Sequence, residues 1–278
     1  MKRLLVWSDL HNEFWNELPK HPEAIGEIDA VLLPGDISTK GRHLECLLRI
    51  WDMFHVPVLA VRGNHDFYHL DMAEVPHREN TFLKAARAKG VEINILDRET
   101  FVLDDLRILG ATLWTDMQLF PDLHRDAREL LARAMSDFNH IKVGPVRWFD
   151  TGDWLQRHHE DRAWLFDELA QPHEGETLVM THHMPAREAL HPSRITGSQR
   201  EQLMNAGFAS DLWPQIRHHD INTWIFGHTH HEIDVTLEGD HGPVRFAANP
   251  RGYPREKCLF KPDFILEIPT RRIDPPIP

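Results

Sequence analysis

The residues with the clearest chemical capacity are Gly63-Asn64-His65-Asp66, which follow the apolar run from 58 to 61. That run is typical of a buried strand. Gly63 permits a close backbone approach, and the next three residues supply an amide oxygen, an imidazole and a carboxylate. The same residue types are common in ordinary strand-to-helix turns. The stretch therefore indicates chemistry only if other parts of the chain supply partners.

Four other apolar runs also end in residues that can bind metal ions or move protons. These residues are Asp9 and His11 after the run 4–7, Asp36 after 30–33, His182 after 177–180, and His228 and His230 after 224–226. Residues two apart in an extended chain face the same side. We therefore expect Asp9 and His11 to point together, and His228 and His230 likewise.

The order of the elements predicts where these side chains meet. Residues 1–66 show the pattern strand, helix, strand, helix, strand, with the second helix over 41–54. Such a pattern is typical of a parallel α/β sheet, in which ligands bind beyond the carboxyl ends of the strands. Asp104-Asp105 predicts a tight hairpin, after which the sheet becomes mixed.

The middle of the chain differs in character. Amphipathic helices are expected over 121–136 and 151–169, within an inserted segment 114–172 of a single domain that spans 1–278. This segment either covers the site or only packs on the sheet. The long irregular segment 186–210 is of a kind that is often functional. Arginines in these segments are candidates to contact a phosphate, because a guanidinium binds phosphate bidentately; they are Arg133, Arg187 and Arg194.

Composition narrows the classes of partner. The formal net charge of −12 argues against general duplex binding, although bound cations can still invert the local field for a phosphate substrate. Two cysteines without metal-type spacing are typical of a reduced compartment. The first apolar run is too short for a signal peptide, and no stretch reaches membrane-helix length. These features predict a cytoplasmic location and no membrane partner, and they leave the oligomeric state open.

The set of side chains also indicates which metals would bind. Carboxylate, amide oxygen and imidazole together suit Mn, Fe, Zn or Co better than Mg or Ca, which prefer oxygen ligands alone. There are more candidate ligands than one four-coordinate ion can use. The sequence therefore predicts two transition-metal ions as cofactors.

The motifs resemble those of the calcineurin-like metallophosphoesterases, in the purple acid phosphatase superfamily, and most resemble the bacterial stand-alone type. They are Asp9-x-His11, Gly35-Asp36, Gly63-Asn64-His65-Asp66, His182-His183 and Gly227-His228-x-His230, in the family's order. The resemblance implies a four-layer α/β/β/α sandwich with two mixed β-sheets. It also implies a binuclear site. Asp9, His11, Asp36 and His230 would hold one ion, and Asp36, Asn64, His182 and His228 the other.

The resemblance further implies hydrolysis of phosphoric esters. A hydroxide that bridges the metals would attack phosphorus in line, while His65 donates a proton to the leaving oxygen and Asp66 orients His65. Diesters of small molecules are slightly favoured over monoesters as substrates. The protein-phosphatase branch has an Asp-Arg pair where Ser38-Thr39-Lys40 stand here, which argues against protein Ser/Thr phosphatase activity.

Two alternatives concern single residues and the class of protein. His182 is preferred over His183 as the ligand because the family's ligand is usually the first residue after the strand. A non-catalytic scaffold on this fold would have lost a metal ligand or the histidine of Gly-Asn-His. This chain keeps all of them, which favours an enzyme.

Overall fold

Thirteen strands form two large sheets and one hairpin in the computed structural model, which describes residues 1–270. The strands are β1 (Lys2–Val6), β2 (Ala30–Pro34), β3 (Val58–Val61), β4 (Ile93–Ile95), β5 (Glu99–Leu103), β6 (Leu106–Ala111), β7 (Lys142–Val143), β8 (Arg147–Trp148), β9 (Glu176–Thr181), β10 (Thr223–Ile225), β11 (Ile233–Gly239), β12 (Gly242–Ala248) and β13 (Ile265–Ile268). The first sheet has the order β13-β1-β2-β3-β4, and the second β11-β12-β10-β9-β6-β5.

The helices lie outside the sheets or in the long connections. They are α1 (Asn12–Trp15), α2 (His43–Phe54), α3 (Val75–Arg87), α4 (His124–Ala134), α5 (Asp137–His140), α6 (Thr151–Leu169), α7 (Pro192–Ile195), α8 (Gln199–Met204) and α9 (Trp213–Ile216). Within residues 1–270, no helix has both the length and the apolar character needed to cross a membrane.

The alternation of side chains along β1 and β2 explains the layers. Leu4 and Leu32 point into the core between the two sheets. Leu5 and Leu33 point to the other face, where they meet Leu47 and the rest of the apolar side of α2. Successive residues of a strand face opposite sides. A strand that is apolar throughout therefore lies between two cores, as the runs of Leu and Val predict.

The outer face of the second sheet carries the largest core of the molecule. Val179 and Trp224 from this sheet pack in one cluster with Leu131 of α4 and with Trp154 and Leu165 of α6. Helices, sheet, sheet and helices thus follow one another in four layers. The predicted α/β/β/α sandwich with two mixed sheets is confirmed.

Several local predictions agree with the structure, and two differ. The hairpin at 104–105 joins antiparallel β5 and β6 as expected. Helix α6 begins after Asp150, whose carboxylate accepts hydrogen bonds from the amides of Gly152 and Asp153. The sequence pattern predicts a short helix over 81–89, whereas helix α3 spans Val75–Arg87. The segment 186–210 is also not irregular, because it folds into short helical turns that include α7 and α8.

The core between the sheets yields a stability prediction. Ile108 of β6 is fully buried there, so Ile108→Ala removes buried methyl groups and leaves a cavity. We expect the free energy of unfolding to fall by about 2–5 kcal/mol. Val102 on the neighbouring strand β5 is 55% exposed, and Val102→Ala serves as the control, with a change within about 0.5 kcal/mol. Urea unfolding of both variants measures this; equal losses would contradict the assignment of the core.

Candidate metal centre

The loops that follow β1, β2, β3, β9 and β10 bring the predicted side chains together through an unusual backbone. Asp9, His11, Asp36, His228 and His230 all have positive φ angles, between 42° and 64°. The left-handed region is uncommon for residues with a Cβ. The expectation that Asp9 and His11, or His228 and His230, align through extended chain is therefore wrong. Sharp left-handed turns, not strand alternation, aim these side chains.

Gly63 is needed because the backbone of its loop runs against the site. A Cβ at position 63 would collide with the Asp36 carboxylate and crowd His182. A Cβ at Gly35, where φ is +84°, would collide with the His182 ring and with Gly63 itself. The predicted close approach at Gly63 is confirmed, and the two glycines let adjacent loops pack directly on each other.

The first cluster joins Asp9, His11, Asp36 and His230, whose donor atoms lie within 4.8 Å of one another. The Nε2 atoms of His11 and His230 are only 3.0 Å apart. On the far side of each ring, Nδ1 lies 3.3 Å from Glu13 Oε1 for His11 and 2.6 Å from Glu256 Oε2 for His230. Carboxylates accept only, so Nδ1–H donates in both rings and both Nε2 lone pairs face inward.

The second cluster joins Asp36, His182 and His228 within the same distance. His182 Nδ1–H donates to the carbonyl of Pro34 at 2.8 Å, and its Nε2 lies 3.0 Å from Asn64 Oδ1. The Asn64 amide nitrogen donates to the Tyr68 hydroxyl at 3.2 Å. His228 Nε2–H donates to the carbonyl of Gly207 at 3.2 Å, which leaves Nδ1 unprotonated.

These contacts test whether the residues fit two metal ions. In the first cluster two acceptor atoms, the Nε2 atoms of His11 and His230, face one another at 3.0 Å. In the second cluster His182 Nε2 lies 3.0 Å from Asn64 Oδ1 and 3.4 Å from Asp36 Oδ1. Asp9 Oδ2 is buried and has no hydrogen-bond partner among the described residues. Converging lone pairs repel unless a cation lies between them. The donor set, with Asp36 in both clusters, fits a binuclear centre.

The electrostatics of the side chains agree with metal binding. Burial opposes ionisation of Asp36, but His182 and His65 hold the pKa of that carboxyl well below its usual range. Burial lowers the pKa of His11 and, strongly, that of His228, so these rings are neutral. Burial also opposes a charge on His182, yet Asp36 raises its pKa to about 9. Metals bind deprotonated ligands, so binding at His182 displaces a proton.

His183 lies behind the ligand positions. Its ring stacks on Trp114 with centroids 5.2 Å apart and approaches the His228 ring at 4.3 Å. Burial lowers its pKa well below the usual value, which keeps the ring neutral. His182, in contrast, faces Asp36 and Asn64 directly. The geometry therefore supports the preference for His182 as the ligand.

The surroundings of His65 differ from the expectation. Asp66 accepts hydrogen bonds from the backbone amides of Asp36, Ile37, Ser38 and Gly63. Within the described chain, the ring of His65 is instead bonded through Nδ1 to Glu13 and through Nε2 to the hydroxyl of Tyr253. The prediction that Asp66 orients His65 is wrong, because Asp66 braces the loop that carries Asp36. Glu13 orients the ring.

A cavity of about 750 Å³ opens above the clusters. Its lining includes Asp36, Asn64, His65 and His228 from the site. Residues 134–137, at the end of α4 and the start of α5, form part of another wall. Asp137 is fully buried there, neither carboxylate oxygen has a hydrogen-bond partner among the described residues, and burial raises its pKa to about 6.

Some residues at the site carry little or no sequence signal. Glu13 lies two positions after His11 but is aimed by α1, and Asp137 lies in a segment without a motif. Glu256 and Tyr253 come from the loop that follows β12, beyond the last of the sequence motifs. The residue types over 249–254 predict a loop, but the contact of Tyr253 with His65 depends on tertiary packing.

Comparison with known proteins identifies the family. The model of the calcineurin-like phosphoesterases matches residues 2–232, which include every residue of both clusters. The chain belongs to this family. A curated relative, the uncharacterized protein L509 of Acanthamoeba polyphaga mimivirus, is 25% identical over 305 aligned positions, which cover 99% of each chain.

Two solved structures align with this chain. The phosphopantetheinyl hydrolase PptH of Mycobacterium tuberculosis aligns over 99% of this chain and 97% of its own, with a TM-score of 0.66 and 17% identity. A dimetal phosphatase from Danio rerio aligns over 89% of this chain and 86% of its own, with a TM-score of 0.46 and 14% identity. The first shares the fold of this chain along its whole length.

The shared position of Asp36 generates a prediction about metal content. Asp36→Ala should lose both ions, because its carboxylate belongs to both clusters, whereas Asp9→Ala should chiefly weaken one. The exposed Asp122→Ala serves as a control that keeps both ions. Elemental analysis of proteins purified in parallel with Mn tests this. Two tightly held ions in Asp36→Ala would rule out its bridging position.

Proposed function

We propose that this protein is a dimetal phosphoric ester hydrolase that acts on small-molecule phosphodiesters. The observation that carries the proposal is the pair of clusters that share Asp36 at the floor of the cavity. We assign one ion to Asp9, His11, Asp36 and His230 and the other to Asp36, Asn64, His182 and His228. Family membership and the facing lone pairs of His11 and His230 support this assignment.

The metal ions and the residues of the chain have different roles in the proposed reaction. When bound, two such cations act as Lewis acids on the phosphate and lower the pKa of a water molecule. The chain holds the ligands in place through the carboxylates of Glu13 and Glu256 and the carbonyls of Pro34 and Gly207. His65 supplies a proton to the leaving oxygen, a step worth about 10²–10⁴-fold in rate. Burial opposes a charge on its ring, but Asp36 and Glu13 raise the pKa of His65.

The charges of the cavity wall away from the metal positions favour a diester over a monoester. This part of the lining includes the cations Arg194 and Lys257 and the carboxyl groups of Asp137, Glu232 and Glu256. Because carboxyl groups outnumber these cations, only the bound metal ions would balance the second negative charge of a monoester. The volume of about 750 Å³ also leaves room for an organic group on each side of the phosphate. A phosphomonoesterase is the alternative.

The preference between diester and monoester is open to direct measurement. We expect bis(p-nitrophenyl) phosphate to be cleaved with a higher kcat/KM than p-nitrophenyl phosphate, in the presence of Mn, Fe or Zn. Mg should support less activity, because the sites contain histidine. A higher kcat/KM for the monoester with every metal would reverse the assignment. No hydrolysis of either substrate with any metal would refute the proposed function.

Arg194 is the arginine of the predicted three that we place at the substrate. Its guanidinium lines the cavity, lies over the Phe208 ring at 4.1 Å and donates to the carbonyl of Thr229 at 2.8 Å, between the ligands His228 and His230. Its Nε is buried without a partner among the described residues. Arg187 lies over Phe120 beside a separate small cavity, and Arg133 is exposed on α4. We propose that segments 114–172 and 186–210 together form the cover.

Removal of the Arg194 guanidinium should weaken substrate binding but not metal binding. A lost hydrogen bond to a charged group costs about 1.5–3 kcal/mol, so Arg194→Ala should raise KM about tenfold or more at normal metal content. Arg187→Ala is the matched control and should keep the wild-type KM. Steady-state kinetics with bis(p-nitrophenyl) phosphate measure both. An unchanged KM in Arg194→Ala would exclude it from substrate recognition.

A further inference from the structure

Both ring nitrogens of His65 make hydrogen bonds to other side chains of the chain. Nδ1 lies 3.1 Å from Glu13 Oε1, and Nε2 lies 3.0 Å from the hydroxyl oxygen of Tyr253. The ring is further held by Tyr68, which stacks on it with centroids 4.1 Å apart. A ring nitrogen makes one hydrogen bond in the plane of the ring. A leaving oxygen therefore cannot bond to His65 in this arrangement, and the polar group next in the chain of hydrogen bonds is the Tyr253 hydroxyl.

The backbone around Tyr253 is fixed by the strand that carries Asp9. The amide of Gly252 donates to the carbonyl of Asp9 at 2.9 Å, and the indole of Trp15 donates to the carbonyl of Gly252 at 2.8 Å. Gly252 has a φ of +66°, and a Cβ there would collide with Cys258. The conformation thus requires glycine. These contacts hold the backbone next to Tyr253 in place.

The Tyr253 side chain lies between the metal ligands and the cavity. Its ring packs against His11 and His230, with centroid distances of 4.5 and 4.7 Å. Its amide donates to Glu256 Oε2 at 2.8 Å, the same oxygen that accepts from His230. Tyr253 is half-buried and lines the cavity together with His65. The hydroxyl therefore lies beside both His65 and the space above the clusters.

We propose that Tyr253 is a catalytic residue whose hydroxyl contacts the leaving oxygen and passes it the proton that His65 provides. This inference rests on the proposed function. As the P–O bond breaks and its electron pair stays on the leaving oxygen, the Tyr253 O–H proton moves to that oxygen. In the same step the Nε2 proton of His65 moves to the Tyr253 oxygen. The products are a neutral alcohol, a neutral tyrosine and a neutral His65, and Glu13 keeps the ring oriented throughout.

Glu13, His65 and Tyr253 thus form one chain of hydrogen bonds that leads from a buried carboxylate to the cavity. Glu13 Oε1 lies 3.3 Å from His11 Nδ1 and 3.1 Å from His65 Nδ1, so one carboxylate oxygen holds both rings in place. Tyr253 lies outside the residues that the family model matches, which end at 232. The contact that gives it a role comes from the return of the chain after β12.

The test compares leaving groups in Tyr253→Phe, which removes the hydroxyl alone. With an alkyl ester, whose alkoxide needs a proton to leave, we expect kcat to fall about 10²-fold. With a nitrophenyl ester, whose anion leaves unaided, the fall should be much smaller. KM, metal content and melting temperature should stay close to wild type, because the ring remains in place. His65→Ala should show the same dependence on the leaving group. In the double variant Tyr253→Phe/His65→Ala, kcat should be little lower than in the single variant with the lower kcat, because both residues act in one step.

The other tyrosine of the chain provides a matched control. Tyr68 also contacts the His65 ring, but its hydroxyl bonds to Asn64 and Ser136. Tyr68→Phe should therefore alter metal affinity and leave the ratio of rates for the two leaving groups as in wild type. The proton transfer through Tyr253 would be refuted if kcat in Tyr253→Phe fell equally with both leaving groups. It would also be refuted if the falls in kcat of the two single variants multiplied in the double variant. In either case, hydrolysis by the wild type would still support the proposed function. Absence of hydrolysis by the wild type would refute both.

Discussion

The arrangement of the whole site depends on the Asp36 carboxylate. It lies in both clusters, its Oδ1 accepts the backbone amide of His65 at 2.8 Å, and its oxygens lie within 3.6 Å of His11 and His182. Its own loop is held by Asp66, which accepts the amides of Asp36 and the two residues that follow. The buried Asp36 carboxylate thus links the first sheet to the second, and the buried Asp66 carboxylate holds the loop that carries Asp36.

This arrangement is unfavourable without a ligand. Five residues of the site adopt left-handed backbone conformations, and such strain costs about 1–3 kcal/mol at each residue. The facing lone pairs of His11 and His230 add to the cost, as does the Asp9 oxygen that has no hydrogen-bond partner among residues 1–270. The two sheets pack around continuous apolar cores, and this packing forces the loops into the strained geometry. Metal binding to the folded state alone would offset part of that cost.

Segments outside the family motifs complete the site. Residues 134–137, in the segment 114–172, line the cavity, and the Gly207 carbonyl, in the segment 186–210, accepts a hydrogen bond from His228. The loop after β12 brings Glu256 to His230 and Tyr253 to His65. The motif residues define a family chemistry, while these added contacts shape the space in which a particular substrate lies. Differences in substrate among proteins of this fold are therefore expected to reside in such segments.

The sequence determined the set of residues at the centre of the site, because apolar runs ending in Asp, Asn or His place those residues at the carboxyl edge of a parallel sheet. The sandwich fold followed from the resemblance of its motifs to a known family. The sequence could not determine how the residues are aimed: Asp and His adopt left-handed conformations more readily than most residues, but no local pattern indicated that Asp9 and His230 would do so. The sequence also did not show that Glu13, and not Asp66, contacts His65, or that Tyr253 contacts the same ring. These contacts join residues 52 and 188 positions apart, and contacts at such separation depend on tertiary packing, which local sequence patterns do not encode.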